Sequence, residues 1–325
     1  MRILLVSFLF LFLISCNNQA SKTNNSEAVD TSQVIEPTPS RVFNEDSAYL
    51  HVLNQVNFGP RVPGTKTHKQ CFDYFVKVLR PLADTLYLQY STTTTYDKKI
   101  IPVMNVIASF NPAASKRILL CAHWDTRPFA DQDVKDKDKP ILGANDGASG
   151  VGILIEIASA LKKQPVDIGV DIVLFDAEDW GDNSGEVEDS YCLGSQYWAK
   201  NPHIPSYKAD FGILLDMVGA PNAVFGFEGY SLAEAQTYLS MVWSSANNAG
   251  YSNYFKNFER GYVTDDHVYV MKHLKIPMID IIDCDVNTAS HFGKYWHTHN
   301  DNMDAIDKKT LKAVGQTLLN VLSTY

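Results

Sequence analysis

The chain has 325 residues, 45% hydrophobic and 20% charged, enough apolar content for a large core and incompatible with a disordered or low-complexity protein. Lys and Arg number 28 against 37 Asp and Glu, a formal net charge of -9. No basic field is available to attract phosphate backbones, so nucleic acid is excluded as a partner.

The apolar run Ile3 to Ile14, with Arg2 before it and Ser15-Cys16 after it, is too short to span a bilayer and sits where a signal sequence carries its hydrophobic segment. Leu13-Ile14-Ser15-Cys16 resembles the bacterial lipobox, whose Cys becomes the acylated first residue of an exported lipoprotein. The expectation is a signal peptide over residues 1–15, a lipid anchor at Cys16 as the sole tie to a membrane, and a location on the periplasmic face of a membrane or cell envelope. Residues 16–40, rich in Asn, Ser, Thr, Gln and Pro, have the composition of a flexible tether. Residues 41–325 contain no repeat, second linker or composition break and are expected to form one catalytic domain.

Within that domain, short β-branched apolar runs predict buried strands at Ile101–Phe110, Arg117–His123, Val170–Phe175, Phe211–Met217, Ala223–Phe227 and Ile276–Ile282. Helical spacing predicts a helix from Gly150 to Lys162, carried by Val151, Leu154, Ile155, Ala158 and Leu161. Ser231-Leu232-Ala233-Glu234 reads as a capping box ahead of Leu239, Val242, Trp243 and Ala246, with Gly250 as the stop. Leu311, Val314, Leu318 and Leu322 predict a closing helix. Apolar strands alternating with helices imply an α/β fold: a central twisted, mostly parallel mixed sheet with helices on both faces. Cys71, Cys121, Cys192 and Cys284 are widely spaced and need form no disulfide framework, and Cys121 reads as a buried small hydrophobe.

In such sheets a site assembles beyond the carboxyl ends of the strands, and several of these strands run into acid or imidazole. His123-Trp124-Asp125 follows one strand, Asp176-Ala177-Glu178-Asp179 another and Asp216 a third; the last strand precedes Trp296-His297-Thr298, and Asp146 sits at the start of a helix. Charges beside apolar strands carry a desolvation cost unless they are paired or metal-bound. Two His with several carboxylates suit Zn²⁺, and adjacent Glu178 and Asp179 allow one side chain to hold the ion while its neighbour moves protons. Taken singly, Asp146 could be an N-cap, Asp216 an Asx turn and His297 a surface residue. His203, His273 and His291 read as ordinary histidines, and the runs Asp131–Lys139 and Gly185–Asp189 as solvated loops.

The order His123-x-Asp125, Asp146-Gly147, Glu178-Asp179, Asp216-Met217-Val218-Gly219, Asp265-Asp266-His267 and Trp296-His297-Thr298 resembles the zinc-dependent aminopeptidase superfamily, and more narrowly its animal-type glutaminyl-peptide cyclotransferase branch. The likeness runs from about residue 43 to the C-terminus. It implies Asp146, Asp179 and His297 as zinc ligands, Glu178 as general acid/base, Asp216 and Asp265 as acids of a catalytic hydrogen-bond network, and Trp296 as a wall of the substrate pocket. His123 and Asp125 stand as second-metal or supporting residues. One departure is visible: Asp179 occupies a position that is Glu in the animal enzymes, which shortens the ligand arm by one methylene.

The resemblance implies peptides or proteins with N-terminal Gln as substrates and cyclisation to pyroglutamate with release of ammonia. Its rival is a two-zinc aminopeptidase, in which His123 and Asp216 hold a second ion, Asp146 bridges and Glu178 activates water. Asp265, where the aminopeptidases usually carry Ser, and Trp296 favour the cyclase. A binding lipoprotein that kept the fold without the chemistry is the third reading.

Overall fold

The computed structural model describes residues 41–325; the expected signal peptide, the lipid-anchor Cys16 and the tether fall outside the described residues. Helices α1 (Glu45–Asn57) and α2 (Lys66–Leu79) lead into a hairpin of β1 (Thr85–Thr94) and β2 (Ile100–Phe110), followed by β3 (Arg117–His123), α3 (Ala148–Lys163) and β4 (Gly169–Phe175). After α4 (Leu193–Lys200) come β5 (Phe211–Asp216), β6 (Phe225–Glu228), α5 (Gly229–Asn248), β7 (Phe255–Gly261), α6 (Asp266–Leu274), β8 (Met278–Ile282) and α7 (Lys308–Thr324).

Six strands form one sheet in the order β1-β2-β4-β3-β5-β8. The pairs β3–β4, β3–β5 and β5–β8 are parallel, while β1–β2 and β2–β4 are antiparallel. The mixed, mostly parallel sheet is as the sequence predicts. Successive strand residues face opposite sides: Ile118, Leu120, Ile213, Leu215, Ile279 and Ile281 join a core with α1, α2, α3, α5 and α7, whereas Leu119, Cys121, Leu214 and Met278 pack with Trp198 of α4 and Val270 of α6. Both faces are therefore dry, which is why these strands read as unbroken apolar runs. The four described cysteines are free and buried.

Three expectations are corrected. The Ala223–Phe227 run is not a member of the large sheet; as β6 it pairs with β7 in a separate two-stranded sheet. Ser231-Glu234 does not act as a capping box. Glu228 caps α5 instead, its carboxylate accepting from Tyr230 N and Ser231 N, and Ser231 Oγ donates to Glu228 Oε2 at 2.7 Å. The charged neighbour three residues upstream is the stronger acceptor, and it takes the donor that the serine motif would have organised. The last sheet strand starts at Met278, after Pro277, which has no N–H to offer the ladder. The hairpin strand β1, half-buried along most of its length, escapes the sequence reading because its polar Thr and Ser residues carry little apolar period.

Helix α3 lies close on the sheet because Gly150 has no side chain: a Cβ there would stand 2.5 Å from Leu215 O and 2.9 Å from Ala122 Cβ. Gly150→Ala should cost about 1–3 kcal/mol by overpacking, seen as a lower unfolding midpoint in calorimetry; an unchanged midpoint would show that the helix seats without strain.

Candidate metal and catalytic centre

The carboxyl ends of β3, β4 and β5 open into a cavity of about 420 Å³ lined by Asp146, Glu178, Asp179, Asp216, Asp265 and His297, with Phe292, Trp296 and Tyr262 among its aromatic residues. The sequence-predicted ligands and acids are thus brought together from five separate segments. Asp146 is not an N-cap. Gly147 stands at that position without any side-chain cap bond, and Asp146 itself is buried against His123. The Asp146–Gly147 peptide is cis.

Asp146, Asp179 and His297 place one ligating atom each within 4.8 Å of one another. His297 Nε2 lies 3.2 Å from Asp179 Oδ1 and 3.8 Å from Asp146 Oδ2, while its Nδ1 lies 3.0 Å from Asp131 Oδ1. With Nδ1–H given to Asp131, the Nε2 lone pair faces the two carboxylates, the arrangement that metal-binding histidines take. Asp179 Oδ2 is buried with no hydrogen-bond partner. A divalent cation fits this donor set, since it would satisfy the orphaned oxygen and the imidazole lone pair together. Burial disfavours charge on His297, yet Asp179 and Asp131 outweigh it and push the imidazole up to about 9: the pocket demands positive charge.

His123 Nε2 lies 3.0 Å from Asp146 Oδ1 and 3.2 Å from Asp216 Oδ1. His123, Asp146 and Asp216 form a second trio within 4.8 Å, so Asp146 belongs to both groups. Asp125 is a supporting residue: Oδ1 and Oδ2 accept from the backbone N–H of Glu178 at 2.9 Å and of Asp179 at 3.1 Å, which occupies both oxygens and clamps the loop that carries the acid pair. The neighbouring Asp176 is structural too, accepting from Met104 N at 2.7 Å with His68 Nε2 at 2.8 Å.

Glu178 follows Ala177, which adopts a left-handed φ of 52°, and this turn aims its carboxyl into the cavity. Burial, joined by the charges of Asp179, Asp265 and Asp266 and opposed by His123, pushes Glu178 well above the ordinary carboxylate range. Asp216 is raised to about 7 by burial, with Asp265 and Asp146 adding to it. Asp265 caps α6 through Asp266 N. Such a group of acids can take up and return a proton near neutral pH.

Sequence reasoning missed the residues that hold these loops. Arg61, fully buried, donates to Trp124 O at 2.8 Å, Leu142 O at 2.7 Å and Gly143 O at 2.7 Å. Asp301 accepts from Asn145 N and Asp146 N at 2.7 and 3.1 Å. Arg127 donates to Asp179 O, Gly181 O and Asp131 Oδ2. The Asp131–Lys139 run is solvated only in its later part. Asp131 turns inward to His297, and Asp133 Oδ2 accepts from His299 N at 2.8 Å. His291 is exposed, as expected of a surface histidine, and is also among the residues that line the cavity. The sole sequence signal for Asp131 was its place in a mixed-sign run, which does not separate a surface charge from a histidine partner.

The peptidase family M28 model matches residues 105–322. A zinc-dependent exopeptidase from Parabacteroides distasonis superposes with a TM-score of 0.86 at 49% identity, covering 88% of this chain and 100% of that one. Tannerella forsythia glutaminyl cyclase gives a TM-score of 0.86 at 49% identity, covering 87% and 99%. The glutaminyl-peptide cyclotransferase of the snake Boiga irregularis is 27% identical over 244 residues, 66% of this chain; the match spans 63% of that relative's length.

Because the imidazole of His297 owes its orientation to Asp131, Asp131→Asn should weaken zinc binding by about 10–100-fold, measured by competition with a chromogenic chelator. Unchanged affinity would remove Asp131 from the centre. By alignment and by three-dimensional likeness, the chain belongs to peptidase family M28.

Proposed function

We propose that this chain is a zinc-dependent glutaminyl-peptide cyclotransferase, an acyltransferase that converts the N-terminal Gln of peptides or proteins to pyroglutamate and releases ammonia. The observation that carries the reading is the surplus of acid in the cavity. Beyond a complete trio for one ion, Asp146, Asp179 and His297, three more carboxyl groups, Glu178, Asp216 and Asp265, line the same 420 Å³. A single hydrolytic water needs one base. An amine that must lose protons while an amide nitrogen gains one is better served by a cluster. The likeness to Tannerella forsythia glutaminyl cyclase supports the same reading.

Zinc held by the trio would supply Lewis-acid polarisation of the γ-carboxamide. The protein residues do the rest. Glu178 accepts a proton as the α-amine attacks the γ-carbon, then returns it to the departing nitrogen; the new C–N bond closes a five-membered lactam as the old one breaks. Asp216 and Asp265 hold the amine by accepting its hydrogen bonds. Trp296 and Phe292, with ring centroids 4.9 Å apart, form a wall that holds the Gln side chain in its reactive rotamer and keeps water out.

The two-zinc aminopeptidase is the second reading, favoured by the trio His123, Asp146 and Asp216. Incubating the zinc-loaded protein with two peptides that differ only in an N-terminal Gln or Leu separates them by mass. The Gln peptide should lose one ammonia, the Leu peptide should remain intact, and Glu178→Ala should lower kcat by at least about a thousandfold. Release of a whole residue would make the aminopeptidase reading the correct one. Cyclisation should also speed up as the substrate amine deprotonates toward about pH 8, because only the neutral amine attacks; a rate that stayed flat between about pH 6 and pH 8 would contradict this mechanism.

The lipobox-like Leu13-Ile14-Ser15-Cys16 supports a further part of the proposal, export and a lipid anchor at Cys16 on the periplasmic face of a membrane or envelope. Fatty-acid labelling of cells should tag the wild type and not Cys16→Ser; equal labelling would refute the anchor.

A further inference from the structure

Glu178 is held by a residue that the proposed reaction leaves out. Cys192, at 0% exposure, immediately precedes α4 and adopts a left-handed φ of 59°. A residue in that position usually turns its side chain back onto the free N–H groups of the helix, and Cys192 makes no such bond. Its thiol goes to the acid/base residue instead, Sγ donating to Glu178 Oε1 at 3.3 Å.

The backbone repeats the contact. Cys192 N donates to Glu178 O at 2.8 Å and Leu193 N to Ala177 O at 2.9 Å, so N–H groups at the start of α4 find their acceptors in the loop after β4. Ala177 is itself left-handed, at a φ of 52°. Two non-glycine residues in that sparsely populated region are thus linked across these bonds, a conformation that lasts only where the surroundings impose it. The approach is close: a Cβ on Gly194 would stand 2.0 Å from Asp176 O, and Trp198 packs α4 onto the sheet. The thiol therefore acts from a fixed base.

Burial, with Glu178, Asp266 and Asp265 nearby, pushes the Cys192 thiol well above its ordinary range, so it stays an S–H donor. Glu178 Oε1 is occupied by it. Glu178 Oε2 accepts no hydrogen bond from the described residues, and His123 Nδ1 lies 3.9 Å from it. A carboxyl group that takes a proton on Oε2 still presents Oε1 as a carbonyl acceptor, so the S–H contact survives both halves of a proton cycle.

We propose that Cys192 positions the acid/base residue: its thiol holds Oε1 of Glu178, fixes the carboxyl rotamer, and leaves Oε2 as the oxygen that exchanges protons with the substrate. Cys192 touches no substrate and forms no covalent bond. Its catalytic consequence rests on the cyclase reading, in which Glu178 carries a proton from the α-amine to the departing nitrogen.

The test compares Cys192→Ala, which removes the donor, with Cys192→Ser, which keeps one, both loaded with zinc. On a Gln peptide, Cys192→Ala should lower kcat about tenfold with KM little changed, and Cys192→Ser should recover kcat to within about threefold of wild type. Ser and Ala differ little in size, so a role in packing alone would leave the two variants equally slow, and that result overturns the proposal. So does a Cys192→Ala enzyme as fast as wild type. Loss of a zinc ion from Cys192→Ala would also overturn it and make the thiol a metal ligand, since Glu178, Cys192 and Asp265 bring one polar atom each within 4.8 Å of one another. Should Cys192→Ala fail to fold, infrared spectroscopy decides. The S–H stretch that is present in wild type and missing from Cys192→Ser should move to higher frequency in Glu178→Ala, where the acceptor is gone; a band that stays in place refutes the hydrogen bond. That band is read whether or not the wild type cyclises glutamine, so failure of this inference and failure of the cyclase reading remain separate results.

Discussion

Negative charge gathered at the carboxyl ends of β3, β4 and β5 is the constraint around which this molecule is built. Asp146, Glu178, Asp179, Asp216 and Asp265 converge on one cavity, faced by His123, His297 and the guanidinium of Arg127. Such a concentration is unfavourable in a low-dielectric interior unless protons or a cation compensate it. Both remedies are chemically useful: the cation is the electrophile that acyl transfer needs, and a carboxyl group that holds its proton near neutral pH is an acid/base catalyst.

The acids around the cavity divide into two kinds by what their oxygens accept. Asp125, Asp176 and Asp301 accept backbone N–H groups, so they serve the loops and have little capacity left for a metal. Asp179 keeps one buried oxygen unpartnered, and Asp146 faces two imidazoles. Arg61 completes the scaffold by binding three carbonyls from the segments after β3 and before α3. Fixing irregular backbone this tightly keeps the ligand atoms in place before any ion arrives, which lowers the entropic cost of binding it.

Strands β2, β3, β4, β5 and β8 of the large sheet, with α3 and α7, were legible because burial on both faces of the sheet forces continuous apolar runs, and amphipathic helices force a 3.6-residue period. β1 and β7 were not, being polar and partly exposed, and α5 started on Glu228 rather than on its serine motif. The site residues Asp146, Glu178, Asp179, Asp216, Asp265, Trp296 and His297 could be named from a linear order of motifs, and all of them line the cavity. Asp131, Arg61 and Asp301 could not. Their side chains look like any other charge in a sequence, and their partners lie far away in the chain or across the sheet.

The sequence by itself determined the sheet class, the chain order of the acids and imidazoles, and the kind of ion they suit, because periodicity and donor chemistry are local properties. Only the tertiary structure decided which acids are free and which are occupied. Whether a carboxylate binds a metal, caps a loop or keeps its proton depends on the atoms within a few ångströms of its oxygens, and at this site those atoms arrive from segments as far as 166 residues away, as His297 does at Asp131.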